Sequence, residues 1–251
     1  LHLSLRRQRQ MCIRDSNKRV LAYFACDLYN VYMTTQLNGA ETVFLPFNQG
    51  SNGAGKDGGA GNPTTEDGKY VTSYFWENVL QKDKLLDILQ KFISYERSEK
   101  KKIMPDGSTK TTVSSKVIFP RYHQLDVVRK LVSHVRENGA GHNYLIQHSA
   151  GSGKSNSIAW TAYRMASLHD ENNNPIFDSV IIVTDRRVLD QQLQATVSGF
   201  DHTLGSVVTI DEKKNSGDLR DAINDGKRII ISTLQKLSLI HISEPTRLQL
   251  I

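Results

Sequence analysis

Cysteine is nearly missing from this sequence: Cys12 and Cys26 are the whole complement. Cys12 falls in a terminal stretch set aside below, so the single remaining thiol excludes an internal disulfide and points to a reducing compartment. No apolar run approaches the ~20 residues that a membrane-spanning helix needs. There is no internal repeat. His123 and His134 stand alone, without the spacing of metal ligands. Charge of one sign is scarce as well. The chain has 32 Lys and Arg against 26 Asp and Glu, a mild basicity that permits contact with nucleic acid but does not by itself predict it.

Part of that basicity comes from the ends. Met11–Ser16 reads MCIRDS and Leu237–Ile242 reads LSLIHI. The first can be coded ATG-TGT-ATA-AGA-GAC-AG, and the reverse complement of that string encodes the second. Both stretches resemble translated transposon-type sequencing adapters, covering Arg6–Ser16 and Leu237–Arg247, and such segments are excluded from fold reasoning. The expected organisation is an adapter-derived 1–16, a segment 17–95, a solvated linker 96–116, a lobe over 117–236 and an adapter-derived 237–251, a piece cut at both sides. Setting aside Arg6, Arg7, Arg9, Arg14, Arg247, Asp15 and Glu244 leaves 27 cations against 24 anions, net +3.

What is present centres on Gln147–Ser155, QHSAGSGKS, directly behind the apolar run Tyr144–Leu145–Ile146. The pattern reads as strand, glycine-bearing loop, then helix, the context that a phosphate-binding loop requires. Ala150, Gly151, Ser152 and Gly153 supply a backbone able to curl into an anion-binding nest at a helix N-terminus. Lys154 is placed to reach the β- and γ-phosphates of a nucleotide, and the Ser155 hydroxyl to ligate Mg²⁺. His148 stands where the usual GxxxxGK[ST] pattern has its first glycine, and it is assigned no chemistry. The cofactors expected are ATP and Mg²⁺.

Around this loop the chain alternates strands with helices from Val117 onward. A helix runs from Pro120 to about Asn138, with Val127, Val128, Leu131, Val132 and Val135 on one stripe. Tyr144–Gln147 is expected as a strand, Ser155–Leu168 as a helix, and Ser179–Thr184 as a strand buried on both faces. Helices follow at Val188–Val197 and Ser216–Asp225, and strands at Ser206–Ile210 and Arg228–Ser232. This order predicts a parallel α/β sheet flanked by helices. Before it, Val20–Asp27 and Val31–Thr35 form a hairpin, Phe44–Phe47 a short edge strand, and Asn48–Gly68 a long loop. Lys82–Ser94 is helical, carrying Leu85, Leu86, Leu89, Phe92 and Ile93 with Ile88 beside them. Trp160 and Tyr163 read as core packing rather than as stacking platforms.

FLPFN, GAGNP at Gly59–Pro63, WENVL at Trp76–Leu80, PRYHQLDVVRKL at Pro120–Leu131, QHSAGSGKS, VTDRRVLDQQ at Val183–Gln192 and IISTLQK at Ile230–Lys236 occur in one order. The set resembles the motor (R) subunit of type I restriction enzymes, ATP-driven translocases of double-stranded DNA with superfamily 2 helicase motifs. The resemblance spans nearly all of Asn17–Lys236. It implies a RecA-like phosphate-loop lobe preceded by the hairpin-containing tail of a nuclease domain. It implies that Gln124 reads an adenine edge, an amide being able to donate and accept in one plane. Thr184, Arg186 and Arg187 match a motif that touches the DNA backbone, where Arg suits phosphate; Ser232, Thr233, Gln235 and Lys236 match the next. The implied partners are double-stranded DNA and the methyltransferase and specificity subunits of such complexes, with no membrane, in a bacterial or archaeal cytoplasm.

The same resemblance marks what is missing. Nothing among Asp27, Glu41 and Asp57 supplies the Glu-x-Lys pair of the family's nuclease, and no Asp-Glu pair follows IISTLQK. The parent is expected to be a type I site-specific deoxyribonuclease and ATP-dependent translocase; this stretch is expected to bind ATP without turning it over. Rival readings are another P-loop helicase or translocase, a small P-loop phosphotransferase, or a non-catalytic docking module in which Lys154 and Ser155 are dispensable. The VTDRRVLDQQ segment argues against the phosphotransferase.

Overall fold

A computed structural model describes residues 20–50, 60–65, 68–103, 109–184, 187–200, 207–210, 216–235 and 237, and omits the side chains of 97–103, 110, 112–114, 187–192 and 216. The adapter-like 1–16 and 238–251, most of the Asn48–Gly68 loop, Arg186 and Lys236 therefore lie outside the described residues. The chain divides after His123 into two compact units.

In the first unit, β1 (Tyr23–Cys26) and β2 (Val31–Thr34) pair antiparallel, and β3 (Leu45–Pro46) adds to the other edge of β2. The turn between β1 and β2 is set by Asp27. Its carboxylate accepts from the backbone N–H groups of Tyr29 and Asn30, both at 2.7 Å, the local side-chain bonding that makes Asp a turn residue. Pro46 sits at the edge, where its missing N–H costs nothing. Behind the strands the rings of Phe24, Phe47, Phe75 and Phe119 meet edge-on or tilted, with centroids 4.8–6.3 Å apart. Such offset ring pairs favour the quadrupole as well as burial. The Tyr74 hydroxyl donates to Phe47 O at 2.8 Å, and burial pushes its pKa well above the usual phenol range.

The two ends of the glycine-rich loop are tied by asparagines. Asn48 Oδ1 accepts from Val31 N at 2.8 Å and from Asn62 Nδ2 at 3.1 Å, while Gln49 N donates to Asn62 Oδ1 at 2.8 Å. Asn48 Nδ2 donates in turn to Asn30 Oδ1 and Ala60 O. The loop thus leaves and rejoins the body through one hydrogen-bonded neck. A π-helical turn at Phe75–Val79 precedes α1 (Lys82–Lys91). The α1 stripe differs from the expected one: Ile88 and Phe92 are fully buried, whereas Leu86 and Leu89 are exposed. Two stripes at helical spacing coexist on this helix, and the neighbours choose which is covered.

Residues 96–116, expected as a linker, instead form most of a two-stranded ribbon. In it β4 (Ser94–Ile103) pairs antiparallel with β5 (Thr109–Ile118) over ten residue pairs. The Glu96–Lys116 register pair closes a 3.0 Å ion pair. Ser, Thr and charged residues dominate both strands, so the apolar periodicity that usually signals a strand is missing from the sequence.

The second unit contains the parallel sheet, in the order β6 (Val180–Thr184), β8 (Ile229–Thr233), β7 (Val207–Thr209). Helix α2 (Tyr122–Asn138) begins in the first unit and ends in the second, with Leu125, Val128, Leu131, Val132 and Val135 buried. Helices α3 (Lys154–Ala166) and α4 (Arg187–Gly199) pack on one face of the sheet, where Ala159, Ala162, Leu193 and Val197 meet Ile182, Ile229 and Ile231. Helix α5 (Ser216–Asn224) covers the other face, where Leu219 and Ala222 meet Ile230. The single-residue alternation along β8 is the pleat of a strand buried on both sides. Trp160 is buried against Phe200, and the Tyr163 hydroxyl donates to Val197 O at 2.8 Å, so both are core residues. Leu237, the first residue of the adapter-like C-terminal segment, packs into the α5 cluster.

Two expectations about strands are corrected. Tyr144–Gln147 forms no strand, and Leu145 is 94% exposed. A strand forms only where a neighbour completes its ladder, and among the described residues none does so. The apolar side chains lie instead along α2, lining a groove of about 390 Å³ with Val127, Leu131 and His134. Val183 is exposed too: it points to the face opposite Ile182 and lies outside the cluster that α5 covers there.

Candidate functional site

The phosphate loop occupies the turn into α3. Gly151 has φ +74° and Gly153 φ +80°, the left-handed region that costs an L-residue roughly 1–2 kcal/mol. Glycine is required at both positions by backbone alone. Gly153 is the N-cap of α3, and no side chain caps that end. The first N–H groups of the helix, with the positive end of its dipole, are thus left for a ligand rather than a Ser or Asp oxygen. Gly153 O accepts from Asn156 N at 3.1 Å and Ser157 N at 3.3 Å, which starts the helix.

Lys154 is exposed, and its Nζ donates to His148 O at 3.2 Å and to Ser149 O at 2.9 Å. The ammonium therefore folds back over the loop it belongs to. Both partners are backbone carbonyls, so a phosphate at this place would exchange neutral acceptors for charged ones, which bind an ammonium about twice as strongly. Ser155 is half-buried in the first turn of α3, and Ser152 of the loop is buried. Open space at the Gly151 Cβ position, an uncapped helix end and a lysine over the loop together fit the triphosphate of a nucleotide. Ser155, in the first helical turn beside the loop, is the residue that would hold Mg²⁺ with such a ligand.

Gln124 comes from the first turn of α2. Its side chain is 3% exposed, and Nε2 lies 2.8 Å from Gly153 O and 3.3 Å from Ser152 O. The amide expected at an adenine edge is thus engaged by the loop itself. A distance across 29 residues carries no sequence signal, so this contact was not legible in RYHQ.

The expected DNA-contacting residues divide. Thr184 and Thr233 are register partners at the C-terminal ends of β6 and β8, the edge where open α/β sheets bind ligands. Arg187 opens α4, and Arg186 lies outside the described residues. Ser232 is buried, and its hydroxyl has no hydrogen-bond partner among the described residues. Among the described residues no group of three or more His, Cys, Asp or Glu forms a metal centre. No described helix is long and apolar enough to cross a membrane.

A glycine-turned loop capping a helix that packs on a parallel, two-sided sheet defines an α/β nucleotide-binding lobe. A sequence model of the SWI2/SNF2 ATPase family matches residues 123–249, half of the chain. The chain belongs to that family of helicase-like, ATP-dependent enzymes. The match begins at His123, one residue before Gln124, and runs past Lys236, where the lobe was expected to end. No curated protein and no solved structure matches the chain.

Proposed function

We propose that this chain is the ATP-binding part of the motor subunit of a type I restriction-modification complex, which couples ATP hydrolysis to translocation along double-stranded DNA before cleavage. The observation that carries the ATP part is the loop itself: two left-handed glycines, an uncapped helix end and Lys154 Nζ held over them. The restriction part rests on the order of the motifs ahead of the ATPase region. Asn48 of FLPFN and Asn62 of GAGNP hydrogen-bond to each other at 3.1 Å, so two of those motifs serve one structural device, which supports reading them together. In this proposal the first unit is the tail of the nuclease domain. Thr184, Arg186, Arg187 and Thr233 meet DNA phosphates, and the methyltransferase and specificity subunits are partners.

Titration calorimetry with ATP and Mg²⁺ tests the site. Lys154→Ala removes a charge-assisted contact worth roughly 1.5–3 kcal/mol, so affinity should fall about tenfold or more; equal affinity in both proteins rejects the loop as the nucleotide site. Fluorescence anisotropy with unrelated duplexes tests the DNA face. Binding should be similar across sequences and weaken as salt rises. A strong preference for one sequence, insensitive to salt, refutes it.

A further inference from the structure

The β4–β5 ribbon of the first unit carries a charge imbalance that its own pairing does not require. Residues 94–118 hold six cations against three anions, Glu96, Glu99 and Asp106, a net of +3. Over 17–236 the counts are 27 and 24, so 21 of each sign remain elsewhere and the ribbon accounts for the whole surplus. The register shows where along the ribbon it falls. Near the Ser94–Ile118 end, Glu96 stands opposite Lys116 and the two form a 3.0 Å ion pair. Towards the Ile103–Thr109 end, Lys102 stands opposite Lys110 and Lys100 opposite Thr112. Residues alternate between the two faces of a strand, so Lys100, Lys102 and Lys110 belong to one face. Glu96 is the only acidic position among the paired residues of that face, and it is matched by Lys116. Glu99, opposite Val113, belongs to the other face. Like charges directly opposite each other weaken a strand pair, so the ladder gains nothing from them. Lysine also guards strand edges against pairing with other chains, but that role does not need two of one sign face to face.

We propose that the Ile103–Thr109 end of this ribbon is a further contact for duplex DNA, in which Lys100, Lys102 and Lys110 meet phosphate oxygens. This rests on the proposed translocation along double-stranded DNA, and it adds a contact from the first unit to those proposed at Thr184, Arg186, Arg187 and Thr233. Two residues advance a strand by roughly 7 Å, and opposite positions lie roughly 5 Å apart across a ladder. The three lysine positions thus form a compact cationic cluster towards one end of a ribbon about 34 Å long. A two-stranded ribbon is one of the shapes that the major groove of a duplex admits. An ammonium is a point charge with freely rotating donors, so these lysines hold the backbone and leave base sequence unread.

The test is fluorescence anisotropy with unrelated duplexes over a salt series, on the 251-residue chain and on Lys100→Gln/Lys102→Gln/Lys110→Gln. Each phosphate contact adds about 0.9 to the slope of log affinity against log salt. The triple variant should therefore bind every duplex more weakly, with a slope smaller by roughly 3. Lys82→Gln/Lys84→Gln/Lys91→Gln removes the same charge from α1 of the same unit and should leave the slope as it is. An unchanged slope in the ribbon variant overturns the proposal, and so does an equal fall in both triples, which would make net charge the cause. Polyglutamate bound as tightly as duplex, and lost in the same variant, overturns DNA as the partner. Arg187→Gln separates the two readings. A slope that falls there but not in the ribbon variant sinks the ribbon contact and leaves translocation standing; a fall in the ribbon variant alone upholds the contact and counts against the lobe's DNA face. Urea unfolding supplies a measurement without DNA. Parting Lys102 from Lys110 should leave the midpoint unchanged or higher, and a lowered midpoint would give the lysines a structural role and overturn the proposal.

Discussion

Gly153→Ala and Gly151→Ala change the same chemistry at two left-handed glycines, and the structure assigns them different costs. Each puts a Cβ on a backbone with φ near +75 to +80°, a term of roughly 1–2 kcal/mol. Each also gains the same few tenths to 1 kcal/mol from a less flexible unfolded chain. At Gly151 nothing lies within 4 Å of the new carbon, so the backbone term stands alone. At Gly153 the carbon meets Gln124 Nε2 at 2.5 Å, inside any van der Waals contact. Gln124 is buried and cannot swing into water. Relief therefore breaks its bonds to Gly153 O and Ser152 O, leaving a buried amide unsatisfied for about 1–3 kcal/mol. Gly153→Ala should thus destabilise by about 1–3 kcal/mol more than Gly151→Ala, measured as a shift in urea midpoint at unchanged slope. The double variant Gly153→Ala/Gln124→Ala removes the clash and should cost less than the sum of its two single changes. Equal costs at Gly151 and Gly153, or strict additivity in the double variant, would refute the reasoning.

Two further outcomes follow from the fold. Leu145→Asp, at an unpaired and exposed position, should change stability by no more than about 0.5 kcal/mol; a loss of several kcal/mol in urea unfolding would show that Tyr144–Gln147 is a buried strand after all. Tyr74→Phe leaves Phe47 O without its buried donor and should cost about 1–3 kcal/mol, seen as a lowered thermal midpoint; an unchanged midpoint would mean the hydroxyl contributes nothing.

Sequence alone determined what depends on neighbours along the chain. The alternation of strands and helices from Val117 and the glycines and lysine of Gln147–Ser155 are local patterns, set by backbone geometry and period. Each reappears in the structure within a residue or two, apart from the unpaired Tyr144–Gln147. The coarser class, a helicase-like ATPase, likewise follows from residue order. Only the tertiary structure decided the rest. It chose Ile88 and Phe92 over Leu86 and Leu89 as the covered stripe of α1, because burial is settled by what packs alongside. It made a ribbon of 94–118, since pairing energy lies in a ladder between segments whose polar composition hides it. It left Tyr144–Gln147 without a ladder partner among the described residues, because a strand's hydrogen bonds belong to its neighbours. And it brought Gln124 under Gly153: a contact between residues 29 apart is written in no local period and exists once α2 and the loop are packed together.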